Sequence, residues 1–179
     1  MNLRDRLRTG TRMAQDSAAR AHGRLDVTHA DGLGRFLAAH LDIVDALIRG
    51  EADGPLRPAL DAAHKALHTD LASLGQAAEP TRHPLPDPDA AEARGWLWHA
   101  TRMGLRPAVR EFTIAADADA ALAAAGRFLS LPRDVTGWRD LCSELEGAEG
   151  YGARAERVLA AANAWYVLFE TAAHDRARR

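Results

Sequence analysis

The stretch RGWLWHATRMGLRPAVR, which runs from Arg94 to Arg110, decides the fold of this chain. Its large apolar side chains recur at helical spacing, and this pattern predicts a helix buried in a core. Gly104 and Pro107 interrupt that helix. A glycine costs about 1 kcal/mol relative to alanine, and a proline removes a helical N–H and bends the preceding turn. We therefore predict a bend, and a bent helix can open a cavity between itself and its neighbours.

The whole chain has 179 residues, of which 47% are hydrophobic and 27% are charged, and its net charge is −2. These values are typical of one soluble globular domain, which we expect over residues 1–179. No basic block favours nucleic acid as a partner, and no run of about 18 apolar residues would span a membrane. Cys142 is the single cysteine of the sequence. No internal disulfide can therefore form, which favours a reducing, cytoplasmic location.

Apolar periodicity predicts helices along the whole chain. Alanine is abundant, and no segment alternates between apolar and polar residues with a period of two. The expected fold class is therefore all-α, a compact multi-helical bundle. The prolines between residues 76 and 88 predict an extended loop within the domain. The predicted helices cover about residues 3–21, 33–49, 58–75, 94–110, 117–129, 136–145 and 153–174.

Five segments carry a resemblance to a known family. In chain order they are LRTGTRMAQ (Leu7 to Gln15), LDVTHADGLGRFLAAH (Leu25 to His40), WLWHATRMGL (Trp96 to Leu105), RFLS (Arg127 to Ser130) and GWRDLCSELE (Gly137 to Glu146). In order and spacing they resemble the bacterial haem (heme) oxygenases over nearly the full chain, in particular the short type found beside bacterial phytochromes. The resemblance implies a haem oxygenase-like bundle that holds haem between the first helix and a kinked distal helix. It also implies oxygen-dependent opening of haem to biliverdin, iron and carbon monoxide.

The first helix departs from the family at one position. The family carries there a histidine that ligates the haem iron, whereas this chain has Gln15. An amide is a poor ligand for iron compared with imidazole, so the resemblance implies impaired activity. His22 lies two helical turns further on and faces nearly the same way on an unbroken helix. It is either a replacement ligand or a solvated histidine, since Gly23 follows as a predicted helix end.

The distal helix departs from the family as well. Gly104 matches the first glycine of a Gly-Gly pair that lets the backbone pass close over the haem, but Leu105 replaces the second. Thr101 stands where the family places an Asp or Ser that orders a distal water, and a threonine hydroxyl can also hold one. His99 stands where the short type often has Glu. It is either a replacement ligand from the distal side or a partly exposed helix histidine.

Two arginines of the first helix match basic residues that the family places near the haem propionates. Arg8 and Arg12 suit this role because a guanidinium binds carboxylates with two hydrogen bonds. The alternative is that both lie on a solvated helix face.

Three functions follow. The first is a divergent haem oxygenase-like protein that binds haem or a linear tetrapyrrole, or acts through a protein partner, with ring opening impaired or lost. The second is a working haem oxygenase with His22 or His99 as axial ligand. The third is a helical scaffold that binds a protein partner and no tetrapyrrole. No separate metal site is expected, because His64 and His68 have helical ligand spacing but no further ligand is evident.

Overall fold

A computed structural model of the chain describes residues 1–51, 53–77 and 79–179. The described residues form ten helices, which confirms the predicted all-α class. They are α1 (Leu3–Gly10), α2 (Arg12–Gly23), α3 (Ala30–Gly50), α4 (Arg57–Ser73), α5 (Ala91–Gly104), α6 (Arg106–Ala116), α7 (Ala120–Ala123), α8 (Arg127–Ser130), α9 (Val135–Gly147) and α10 (Ala153–Ala177).

Two long helices, α3 and α10, form the centre of the bundle. Nearly every residue of α3 between Leu33 and Leu47 is buried, because α3 packs against both α4 and α10. The other face of α10 packs against α2 and α5. A helix that is apolar on most sides must be covered on most sides, so α3 and α10 hold the remaining helices around them.

The predicted first helix, 3–21, is in fact two helices. The first, α1, ends at Gly10, and α2 begins at Arg12. At Gly10 the chain passes so close to α10 that an added Cβ would lie 2.7 Å from a Leu159 methyl. Thr11 is buried at the break and accepts a hydrogen bond from the indole of Trp96 at 3.3 Å. The break therefore arises from packing against distant helices, which the periodicity of 3–21 could not show.

The bend predicted from Gly104 and Pro107 is confirmed. The first half of the predicted helix, α5, ends at Gly104, and α6 begins at Arg106. Pro107 is the second residue of α6 and has no N–H to donate to a carbonyl of the preceding turn. The predicted helix is therefore interrupted at Leu105, between α5 and α6.

The predicted helix 117–129 is also wrong as a single element, because it forms the separate turns α7 and α8. At Gly126, between them, the ring of Phe112 comes within 2.8 Å of where a Cβ would stand. The buried carboxylate of Asp70 accepts hydrogen bonds from the backbone N–H groups of Arg127 and Phe128 at 3.1 and 2.8 Å. This carboxylate starts α8 as a new helix by satisfying its first N–H groups.

None of the helices in the described part of the chain combines the length and the apolar character needed to cross a bilayer. The described residues of the predicted loop 76–88 are non-helical, as expected, and Ala78 lies outside the described residues.

Candidate functional site

A cavity of about 330 Å³ lies on the inner side of the α5–α6 bend. Its walls come from α2, α3, α5, α6 and α10, and from the segment that joins α2 to α3. The volume is at the lower end of the range of about 300–1,000 Å³ for small-molecule sites. The apolar part of the wall includes Leu25, Val27, Phe36, Leu105 and Phe169. The polar part consists of Gln15, His22, His40, Thr101, Glu111 and Tyr166.

Five of the residues singled out in the sequence meet at this cavity. Gln15 and His22 reach it from α2, and Thr101, Gly104 and Leu105 reach it from the bend. The two α2 residues share a face because they are seven residues, about two turns, apart. The bend brings its three residues to the same cavity, so the two parts of the sequence pattern line one space.

His22 is buried, and the prediction of a solvated histidine at the end of the helix is wrong. Only 6% of the residue is exposed, and its ring stacks on Phe169 with centroids 3.7 Å apart. Its Nδ1 lies 3.1 Å from the carbonyl oxygen of Ala18 and can only donate there, so the proton sits on Nδ1. Nε2 then carries a lone pair, and this buried atom has no hydrogen-bond partner among the described residues.

His40 repeats this arrangement on α3. Only 5% of it is exposed, and its Nδ1 lies 2.8 Å from the Phe36 carbonyl oxygen. Its Nε2 is also buried without a partner in the described structure. The centroids of the His22 and His40 rings are 4.9 Å apart. Two buried imidazoles with unpaired nitrogen atoms therefore belong to the wall of one cavity.

Tyr166 of α10 adds a third unpaired group. The residue is 1% exposed, and no described residue hydrogen-bonds its hydroxyl oxygen. Buried polar side chains normally have partners, so three such atoms around one cavity are unusual. Neither His40 nor Tyr166 is among the candidate residues that the sequence pattern singled out. A signal existed, since His40 and Tyr166 are polar side chains within otherwise apolar helix faces.

Burial keeps both histidines neutral. Loss of hydration lowers the pKa of His22 to about 4, against a smaller opposing effect of the Ala18 carbonyl. The same cause, followed by the nearby His22, places the pKa of His40 well below its usual value. Burial raises the pKa of the Tyr166 phenol. At neutral pH the cavity thus offers two neutral imidazole acceptors and one protonated phenol.

The remaining predicted site residues lie elsewhere. Arg8 and Arg12 are exposed, Arg8 pairs with Asp5 at 3.1 Å, and neither arginine lines the cavity. His99 is buried, which corrects the expectation of a partly exposed residue. Its ring packs toward Trp138 of α9, with centroids 5.7 Å apart, and it does not line the cavity.

The orientation of one histidine in the cavity wall fits a ligand of haem iron. Histidine ligands to a metal usually hold one ring N–H on a carbonyl or carboxylate, which directs the other nitrogen at the metal. His22 has this arrangement, with Nδ1 on the Ala18 carbonyl and Nε2 unpaired. Among the described residues that line the cavity, Glu111 alone is charged. Any carboxylates of a bound ligand would therefore have to extend beyond the wall into solvent.

Fold and cavity together define an all-α protein with a histidine-lined, partly open cavity at a helix bend. The sequence matches none of the models of known protein families, and none of the curated proteins matches it. A function is therefore argued from the cavity and its side chains.

Proposed function

We propose that this chain is a haem oxygenase-like protein that binds haem or a linear tetrapyrrole in the cavity at the α5–α6 bend. The observation that carries the proposal is the unpaired Nε2 of His22, which is buried in the cavity wall. His22 would hold a bound haem through its iron. Haem would supply the oxygen and redox chemistry, and the chain's own residues bind and orient it.

The unpaired nitrogen atoms argue for a ligand on energetic grounds. Burying a polar group without a hydrogen bond costs about 1–3 kcal/mol. The chain carries three such atoms at this cavity, on His22, His40 and Tyr166. A ligand that coordinates or hydrogen-bonds to them recovers this free energy. The imidazoles can coordinate a metal without losing a proton, because they are already neutral.

The bend supports a flat ligand. A Cβ added at Gly104 would meet no atom within 4 Å, so the backbone there borders open space and a ligand can approach it closely. His22 and Phe169, which stack on each other, line the same cavity. A conjugated ring system would therefore have an aromatic pair and an open stretch of backbone as neighbours.

Two residues support impaired ring opening. Gln15 lines the cavity where the family has its iron ligand, so an iron held by His22 would sit in a different position along α2. Leu105 lines it where the family has its second glycine. Its side chain would take space beside a bound haem that the glycine of the family leaves open.

The binding experiment titrates the apo protein with haem and, separately, with biliverdin. We expect one equivalent of at least one ligand to bind and to raise the melting temperature, because a ligand at 100 times its Kd adds about 2.7 kcal/mol of stability.

Gly104→Trp should fill the cavity and abolish binding. Gly147→Trp is the matched control, since a Cβ there also meets no atom within 4 Å but the residue lies at the end of α9, outside the cavity wall. Lack of any shift with either ligand would instead favour the helical scaffold.

A working haem oxygenase with His22 as ligand is the second candidate. The burial and orientation of His22 favour it, whereas His99 does not reach the cavity. Haem-loaded protein with a reductant and oxygen decides between the two. We expect little biliverdin absorbance to appear, and efficient turnover would establish the second candidate.

A further inference from the structure

We propose that a second site, on the other face of α6, binds a small organic phosphate. The site is a surface pocket of about 450 Å³. Four arginines line it: Arg102, Arg106, Arg110 and Arg133. The pocket shares only Leu105 with the tetrapyrrole cavity, so the two sites are separate.

The spacing of the arginines concentrates positive charge. Arg102, Arg106 and Arg110 follow one another at intervals of four residues across the bend, and Arg133 reaches the same pocket from the segment before α9. Arg106 and Arg110 share α6, and like charges four residues apart on one helix destabilise it. The chain as a whole has a net charge of −2, so this cluster does not simply reflect a basic protein.

No carboxylate compensates this charge. None of the described residues lining the pocket is Asp or Glu. Arg106, Arg110 and Arg133 are exposed, and the ion pairs within 4.0 Å in the described structure include none of them. Three cations of the pocket are therefore free to turn toward a ligand.

Arg102 gives an independent indication of an anion site. It is only 8% exposed, and its guanidinium donates to the carbonyl oxygens of Phe128 at 3.3 Å and Leu131 at 2.8 Å. Burial, and after it the charge of Arg133, lowers the pKa of Arg102 to about 10. Loss of hydration and repulsion by Arg133 both disfavour the positive charge of Arg102. A bound anion would remove that repulsion.

The pocket also determines what kind of anion fits. Planar guanidinium groups match the oxygens of phosphate, with two parallel hydrogen bonds each. The floor between the arginines is apolar and includes Val109, Leu129 and Leu131. A phosphate attached to a small apolar body satisfies both features, whereas inorganic phosphate satisfies only the first.

The test measures binding of phenyl phosphate and of inorganic phosphate by calorimetry at about 50 mM salt, where screening is moderate. We expect both to bind, phenyl phosphate more tightly. Arg106→Ala/Arg110→Ala should weaken phenyl phosphate binding by about tenfold or more, since it removes two of four cations. The control Arg82→Ala/Arg157→Ala removes the same charge from exposed positions outside the pocket and should change binding less than about twofold.

Three results would overturn the proposal: no binding of phenyl phosphate to the wild-type protein, equal weakening by both double variants, or equal affinity for the two phosphates. All four substituted arginines are exposed, so each variant is expected to fold, and its circular dichroism and melting temperature without phosphate check this.

Discussion

In His22 and His40, the position of one proton determines which ring nitrogen is left to bind a ligand. Each ring uses Nδ1 on a backbone carbonyl four residues earlier and leaves Nε2 unpaired. The carbonyl fixes which nitrogen carries the proton, and burial prevents a second proton from binding. The same environment that makes both rings good ligands or acceptors also makes the protein sensitive to acid.

Acid should destabilise the protein through these histidines. Unfolded His22 has a pKa of about 6.5, whereas in the fold burial lowers its pKa to about 4. Below pH 6.5 the unfolded chain binds a proton that the folded chain does not, so the free energy of unfolding falls with pH until about pH 4. In His22→Phe, the free energy of unfolding should fall less steeply with pH than in the wild-type protein, by up to about 1.4 kcal/mol per pH unit. Urea unfolding between pH 7 and 5 measures this difference.

Phe169→Leu is the matched control for that series. It changes the packing of the His22 ring but removes no titrating group, so it should lower stability equally at both pH values. A pH dependence that is the same in wild-type protein and His22→Phe would show that His22 is not held neutral.

A second prediction concerns the buried ion pair of Asp42 and Arg176 and its contribution to stability. Asp42 is fully buried on α3 and accepts two hydrogen bonds from Arg176 of α10, at 2.8 and 2.5 Å. Asp42→Asn leaves the guanidinium charge buried without its partner, and we expect a loss of about 3–5 kcal/mol in urea unfolding. Arg8→Ala, which removes an exposed ion pair with Asp5, should cost less than about 1 kcal/mol. Similar losses in the two variants would contradict this role of Asp42.

At the scale of the elements, the two helix breaks differ in how well the sequence predicts them. The bend after Gly104 was predictable because its cause is local: a glycine, and a proline that cannot donate a hydrogen bond. The break at Thr11 was not, because it depends on Leu159 and Trp96, which are distant in sequence. Periodicity detects the faces of helices, but it does not detect where another helix will press against them.

A Gly→Ala substitution should have opposite effects on stability at one glycine of α3 and one glycine of α5. A Cβ at Gly32 would lie 1.9 Å from the backbone oxygen of Asp26, so Gly32→Ala should cost about 1–3 kcal/mol. A Cβ at Gly104 meets nothing within 4 Å, so Gly104→Ala should stabilise the apo protein by about 0.5–1 kcal/mol. Urea unfolding measures both, and destabilisation by Gly104→Ala would show that the bend needs this glycine for its conformation.

At the scale of the whole molecule, some residues of the cavity wall could be predicted from the sequence and others could not. The pattern identified Gln15 and His22 on one helix, and Thr101, Gly104 and Leu105 on another, because each group lies within a short segment. His40 and Tyr166 join them only through the packing of α10 against α2, α3 and α5. Arg8, Arg12 and His99 had plausible positions in the pattern, but none of them lines the cavity. Arg8 lies before the break at Thr11, on α1, whereas Arg12 and His99 lie on α2 and α5 among residues that do line it.

The most direct test of the central claim, that His22 is the ligand at the cavity, is the absorption spectrum of the haem-loaded protein. We expect an imidazole-ligated Soret band in the wild-type protein and in Gln15→Leu. His22→Ala should lose that band and regain it on addition of free imidazole, since the small ligand can occupy the space left by the side chain. If His22→Ala and wild-type protein give the same spectrum, or if Gln15→Leu is the variant that loses the band, His22 does not ligate the iron.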